Sequence, residues 1–128
     1  MARRRMFSLD IIDTDLFLDM PQSTQNLYFH LSLRGDDDGF VSNPKKIMKV
    51  VGASDDDMKI LFAKGFIIPF ETGVCVIVHW KIHNYIQSDR YKETQYQEEK
   101  KLLRSTDAGY SLDTKRVRKV SISDTQVR

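Results

Sequence analysis

Cys75, His79 and His83 recur at every fourth position, a spacing that would gather three metal-binding side chains on one face of a helix. The run Val74 to Trp80 that carries two of them is β-branched and apolar, and it reads as a strand. On a strand, residues four apart lie about 13 Å from each other, whereas zinc needs each ligand atom near 2 Å. No metal site is expected. Trp80 shares the alternate positions with Val74, Val76, Val78 and Ile82 and reads as core. Asp36, Asp37 and Asp38 before Gly39 suggest a calcium loop, but the alternating carboxylates and the closing bidentate glutamate are missing. A polar turn is the better reading. A phosphate-binding glycine loop, a G-x-S-x-G elbow and a nucleophile beside a histidine are all absent from the sequence. His30 sits among apolar helix residues and reads as packing. The expectation is a non-enzyme with no cofactor and no small-molecule substrate.

The cations are more informative. Lys45, Lys46 and Lys49 fall together, with Lys45 and Lys49 four apart on one helix face. Arg3, Arg4 and Arg5 read as a mobile arm of the kind that enters a minor groove. Lys115, Arg116, Arg118 and Lys119 form a further cluster. Lys59 and Lys64 lie on the helix that would read bases, yet that helix begins with Asp55, Asp56 and Asp57, which repel phosphate. A solvated lysine face is the plainer reading of any such group.

Elements that would position these residues follow from periodicity and punctuation. Phe7, Leu9 and Ile11 alternate with polar or exposed neighbours, giving a short extended segment, followed by a helical turn near Asp15 to Asp19. Pro21 opens a helix over 22–34, with Leu27, Tyr28 and Leu31 inward and Phe29 and Leu33 forming a second apolar ridge. Gly35 to Gly39 is a turn, and Phe40 and Val41 are a minimal strand. Asn43 and Pro44 start a helix over Lys45 to Val51, stopped by Gly52. Ser54 with Asp57 makes a capping box for a third helix that runs to Lys64, with Met58, Leu61 and Phe62 inward and Gly65 beyond its end. Phe66 to Phe70 and Val74 to Trp80 form a hairpin around Glu71, Thr72 and Gly73. A polar helix is expected within residues 87–104. Residues 105–128 show no apolar period and read as a flexible basic tail that adds little to the fold.

Helix, short strand, two helices and a hairpin is the winged helix-turn-helix order, an α+β fold. The expected division is an N-terminal extension over 1–20, a winged-helix domain over 21–86, the polar helix and the tail. Total charge gives little direction: 20 Lys and Arg face 18 Asp and Glu. Split at residue 86, the first part carries 10 basic and 11 acidic groups, and the remainder 10 and 7, so the positive excess lies in the second part. Apolar runs are too short to span a bilayer, and no secretory signal follows the arginines. One cysteine, Cys75, fits a reducing compartment, so a cytoplasmic setting is expected.

Three stretches carry a resemblance to a known family. The opening Met1-Ala-Arg-Arg-Arg-Met-Phe-Ser-Leu-Asp-Ile-Ile-Asp13, the stretch Asp36-Asp-Asp-Gly-Phe-Val41 with Asn43-Pro44, and His79-Trp80 with His83-Asn84 resemble phage replisome organisers. The resemblance is to their N-terminal domain, which is similar to DnaD-type primosome proteins, and it covers about residues 1–104. It implies a winged helix that binds replication-origin duplex DNA or self-associates in a bacterial host, with replication-initiation or helicase-loading proteins as partners. A separate C-terminal domain of that family has no counterpart before Arg128, so helicase loading is not assigned to these residues.

Two functions remain open at this point. One is phosphate-directed DNA binding through Lys45, Lys46 and Lys49, helped by Arg3, Arg4 and Arg5, with Lys59 and Lys64 as the contrasting recognition-helix cations. The other is an interaction module that uses the fold for homo-oligomerisation, with Phe29 and Leu33 as the contact. A transcriptional regulator fits the fold as well, without sequence support for a ligand or operator.

Overall fold

Pro21 sits at the entry of the longest described helix, whose Leu27, Tyr28 and Leu31 belong to the buried core. A computed structural model describes residues 3–113. It is a mixed α+β structure in which, among the described residues, seven helices accompany two small antiparallel sheets. The helices are α1 (Leu9–Ile12), α2 (Asp15–Leu18), α3 (Gln22–Leu33), α4 (Pro44–Val51), α5 (Asp55–Ala63), α6 (Trp80–His83) and α7 (Gln97–Lys100). The strands are β1 (Phe40–Val41), β2 (Ile67–Pro69), β3 (Cys75–Ile77), β4 (Leu103–Thr106) and β5 (Gly109–Leu112).

Helix α3 buries Leu27, Tyr28 and Leu31 against Phe17, Phe66 and the sheet. The sheet runs in the order β1-β3-β2, with Phe40 opposite Val76 and Ile68 opposite the same residue on the other side. All of β3 is buried because it is central and covered on both faces, which suits its unbroken apolar sequence. Helix α5 is anchored by Asp57. Its carboxylate accepts from Ser54 N at 3.0 Å, and also from Ser23 Oγ and Thr24 Oγ1 on α3 at 2.8 and 2.7 Å. One acidic side chain thus caps α5 and staples it to α3. Burial opposes its charge, but these donors outweigh burial and hold the carboxyl below its ordinary range.

Several local expectations are corrected. The extended N-terminal segment ends at Ser8, whose hydroxyl caps α1, so residues 9–12 are helical. Strand β3 stops at Ile77, and Trp80 opens α6 while remaining core at 1% exposure. Phe62 faces solvent rather than the core. In place of a polar helix over 87–104 there is mostly loop, with helix only at α7. The Lys92 and Thr94 amides donate to the Asp37 and Asp38 carboxylates, so they do not make helical bonds. The supposed tail begins with a docked hairpin, β4–β5. Its anchor is Tyr110, which is buried, whose amide donates to Val78 O and whose hydroxyl donates to Asp38 O. Gly109 lets it approach, since a Cβ there would sit 2.6 Å from Val78 O at a φ of 118°. An attachment made by one aromatic and one glycine leaves no apolar period in the sequence. The Lys115, Arg116, Arg118 and Lys119 cluster lies outside the described residues.

The N-terminal segment is also docked. Ser8 N donates to His83 Nδ1 at 2.8 Å and Met6 N donates to Asn84 Oδ1 at 2.8 Å. Because Nδ1 accepts, the neutral ring carries its proton on Nε2 and offers it to Tyr28 Oη, 2.6 Å away. Burial, with His79 adding to it, pulls His83 from its ordinary 6.5 down to about 4. Between these values the unfolded chain takes up a proton and the folded chain does not. Stability is therefore full above pH 6.5, falls as pH drops towards 4, and loses on the order of 3 kcal/mol from this group by then. Urea unfolding across that range should show a steeper decline in the wild type than in His83→Gln, where the partly buried His79, also lowered, still contributes. Parallel pH curves for the two proteins would contradict the assignment.

Candidate nucleic-acid interface

Helix α4 owes its form to Pro44 at its first turn and to Gly52, which takes the left-handed conformation at φ 74° and closes it. Pro44, Ile47 and Met48 face inward. Of the other positions, Lys45, Lys46, Lys49 and Val50 are exposed, and Val51 is partly buried against the core. The three ammonium groups have no ion pair or hydrogen bond among the described residues, so they form a free basic ridge. Helix α5 differs. Asp55, Asp56, Lys59, Phe62 and the capping Lys64 are exposed, while Asp57 is turned inward. Its surface charge is therefore mixed, with the exposed carboxylates of Asp55 and Asp56 in its first turn.

The turn between β2 and β3 is held close to the body. Thr72 Oγ1 donates to the buried Glu99 at 2.6 Å, tying the turn to α7. Glu71 is exposed beside it, and no cation is present in the turn. As a result this hairpin offers little to a phosphate backbone.

The arginine arm divides. Arg3 and Arg4 are exposed. Arg5 is not part of a free arm: its guanidinium pairs with Asp37 at 3.1 Å, donates to Gly35 O at 2.8 Å and lies 5.0 Å over the Trp80 ring. With its side chain 5% exposed, Arg5 serves the fold. The oligomerisation pair also divides. Phe29 has intrachain partners, with Phe7 at 5.0 Å and Phe17 at 5.6 Å between ring centroids, because the docked N-terminal segment covers it. Leu33 stays 44% exposed.

Cys75, His79 and His83 do not lie along one strand. Cys75 is in β3, while His79 is the N-cap of α6 and His83 its last residue, and both ring nitrogens of His83 are engaged. Burial pushes the Cys75 thiol up to about 12, so it is held as a thiol within the core. Among the described residues no three of His, Cys, Asp and Glu are gathered to hold a metal ion. Nor is any described helix long and apolar enough to cross a membrane.

A surface that sequence reading passed over lies at residues 85–95, where Tyr85, Arg90 and Lys92 border an open cleft. Its signal was the alternation of tyrosines with cations from Tyr85 to Tyr96, masked by reading the stretch as a polar helix.

No family model matches the chain, and the curated proteins and the solved structures yield no match.

The different settings of Phe29 and Leu33 predict different responses. Phe29→Asp should destabilise the fold by on the order of 3 kcal/mol in chemical denaturation, because it places a charge among aromatic rings. Leu33→Asp should change stability by less than about 0.5 kcal/mol. Equal losses would show that the N-terminal segment does not cover Phe29.

Proposed function

We propose that the chain is a winged-helix DNA-binding module of the replisome-organiser kind, acting in replication initiation in a bacterial host's cytoplasm. The fold assignment is supported by the order α3-β1-α4-α5-β2-β3 together with the sheet order β1-β3-β2. The observation that carries the function is the unpaired ridge of Lys45, Lys46 and Lys49 on a helix that a folded core holds rigid. The chemistry is non-covalent. Lysines neutralise phosphates and release counterions, and no catalytic step is involved. Arg3 and Arg4 add mobile charge at the N-terminal side. Base reading by α5 is opposed by Asp55 and Asp56, so binding is weakly selective for sequence. Origin DNA, further copies of the chain and initiation or helicase-loading proteins are the partners this reading calls for.

A second reading, an interaction module with little DNA affinity, is favoured by the exposed Leu33, Val50 and Phe62 and by the acidic start of α5. Fluorescence anisotropy with labelled duplexes over a salt series separates the two. Log affinity should fall by about 0.9 per log unit of salt for each phosphate neutralised, and Lys45→Glu with Lys49→Glu should flatten the slope by roughly two contacts on every duplex alike. Changes at Lys59 and Lys64 should matter less. Loss of binding from those two changes alone would move the docking surface to α5. Absence of duplex binding at low salt would favour the interaction module.

A further inference from the structure

Between the Asp36–Asp37 turn and the loop that follows α6 lies an open cleft of about 800 Å³. Tyr85 stands on its wall at 79% exposure, and its ring has no hydrogen bond or ring contact among the described residues. Arg90 and Lys92 line the same cleft. Their backbones are fixed, since Arg90 N donates to Gln87 O at 2.9 Å and Lys92 N donates to Asp37 Oδ2 at 3.0 Å. Their side chains are exposed and unpaired among the described residues. A loop anchored at Arg90 and Lys92 therefore presents one bare aromatic ring and two unpaired cations over a concave surface.

The lining sets three cations, Arg5, Arg90 and Lys92, against three carboxylates, Asp36, Asp37 and Glu93, but Asp36 and Asp37 are turned to internal donors while Arg90 and Lys92 are not. Both Asp37 oxygens are engaged, one by Arg5 and the other by Lys92 N. Asp36 accepts from Asp38 N, Phe40 N and Thr94 Oγ1. Glu93 is the lining carboxylate left without such donors. An unstacked base offers a flat face to a ring, and its neighbouring phosphates suit flexible cations, a combination that binds single strands without regard to sequence. Bases within a duplex are already stacked and cannot use Tyr85 in this way.

We propose that this cleft binds a short unpaired stretch of DNA, with one base stacked on Tyr85 and adjacent phosphates on Arg90 and Lys92. The site is distinct from the α4 ridge and takes a different form of nucleic acid, so it stands or falls separately from duplex binding.

Anisotropy of a fluorescein-labelled oligothymidylate with the full chain tests it. Tyr85→Ala should weaken binding about tenfold, while Tyr85→Phe, which keeps the ring, should bind as the wild type does. Arg90→Glu with Lys92→Glu should weaken it further and flatten the salt slope by about 1.4, two contacts at about 0.7 each. Glu93→Gln should tighten binding. Duplex affinity should be unchanged by Tyr85→Ala, and single-strand affinity unchanged by Lys45→Glu with Lys49→Glu. Matching far-UV circular dichroism across the variants shows that each is folded. The proposal is overturned if the wild type does not bind the strand, or if Tyr85→Ala binds it equally well. It is also overturned if thymidine monophosphate saturates the cleft as tightly as the strand does, which would make it a site for free nucleotides.

Discussion

Three consecutive aspartates repel one another, and a turn can hold them only where donors are brought in from elsewhere. At Asp36, Asp37 and Asp38 those donors come from both ends of the described chain. Arg5 pairs with Asp37, and Lys100 lies 3.3 Å from Asp38. Tyr91 Oη donates to Asp38 at 2.7 Å, and Thr94 donates through its amide to Asp38 and through its hydroxyl to Asp36. The turn's carbonyls serve as well, accepting from Trp80 Nε1 at Asp37 and from Tyr110 Oη at Asp38. Burial alone would lower Lys100, but Tyr91 and Asp38 raise it, so the ion pair keeps its charge. The N-terminal segment, the long loop and the second hairpin each make a contact to this turn, through Arg5, Thr94 and Tyr110. Gly39 completes the arrangement: at φ 88°, a Cβ there would lie 2.7 Å from Trp80.

The charged groups divide into those that hold the fold and those that face solvent unpaired. Arg5, Lys100, Asp57 and the three aspartates are consumed internally. The α4 lysines, Arg90 and Lys92 have nothing to pair with among the described residues and meet solvent on rigid supports. A basic side chain that the fold does not use keeps its charge available to a phosphate. The acidic start of α5 belongs in part to the first group, because Asp57 caps and staples its helix while only Asp55 and Asp56 remain at the surface.

Much of the central architecture was legible in residue order. Leu27, Tyr28 and Leu31 mark the inner face of α3, Pro44 and Gly52 bracket α4, and Ser54 with Asp57 marks the start of α5. What escaped was held by single long-range contacts. Tyr110 docks β5 through one ring and two hydrogen bonds, Arg5 disappears beneath Trp80's ring, and Phe29 is covered by a segment more than twenty residues earlier. None of these leaves a period that a local reading detects. The candidate site was legible to the same degree: the α4 lysines follow from helical spacing, whereas the Tyr85 cleft is lined by Asp36, Asp37 and a later loop whose Lys92 and Thr94 bond to Asp37, Asp38 and Asp36, a long-range pairing.

That dependence on the aspartate turn is open to direct measurement by native-state hydrogen exchange on Asp38→Ala. Removing this carboxylate leaves the Thr94 amide, the Tyr91 hydroxyl and the Lys100 ammonium without their acceptor, at a cost on the order of 3 kcal/mol. Protection should be lost at the Thr94 amide, which donates to that carboxylate, while the amides of α3, β3 and Tyr110 keep theirs relative to the variant's own global stability. Retained protection at Thr94, with stability close to that of the wild type, would contradict the claim that this turn holds the later loop in place.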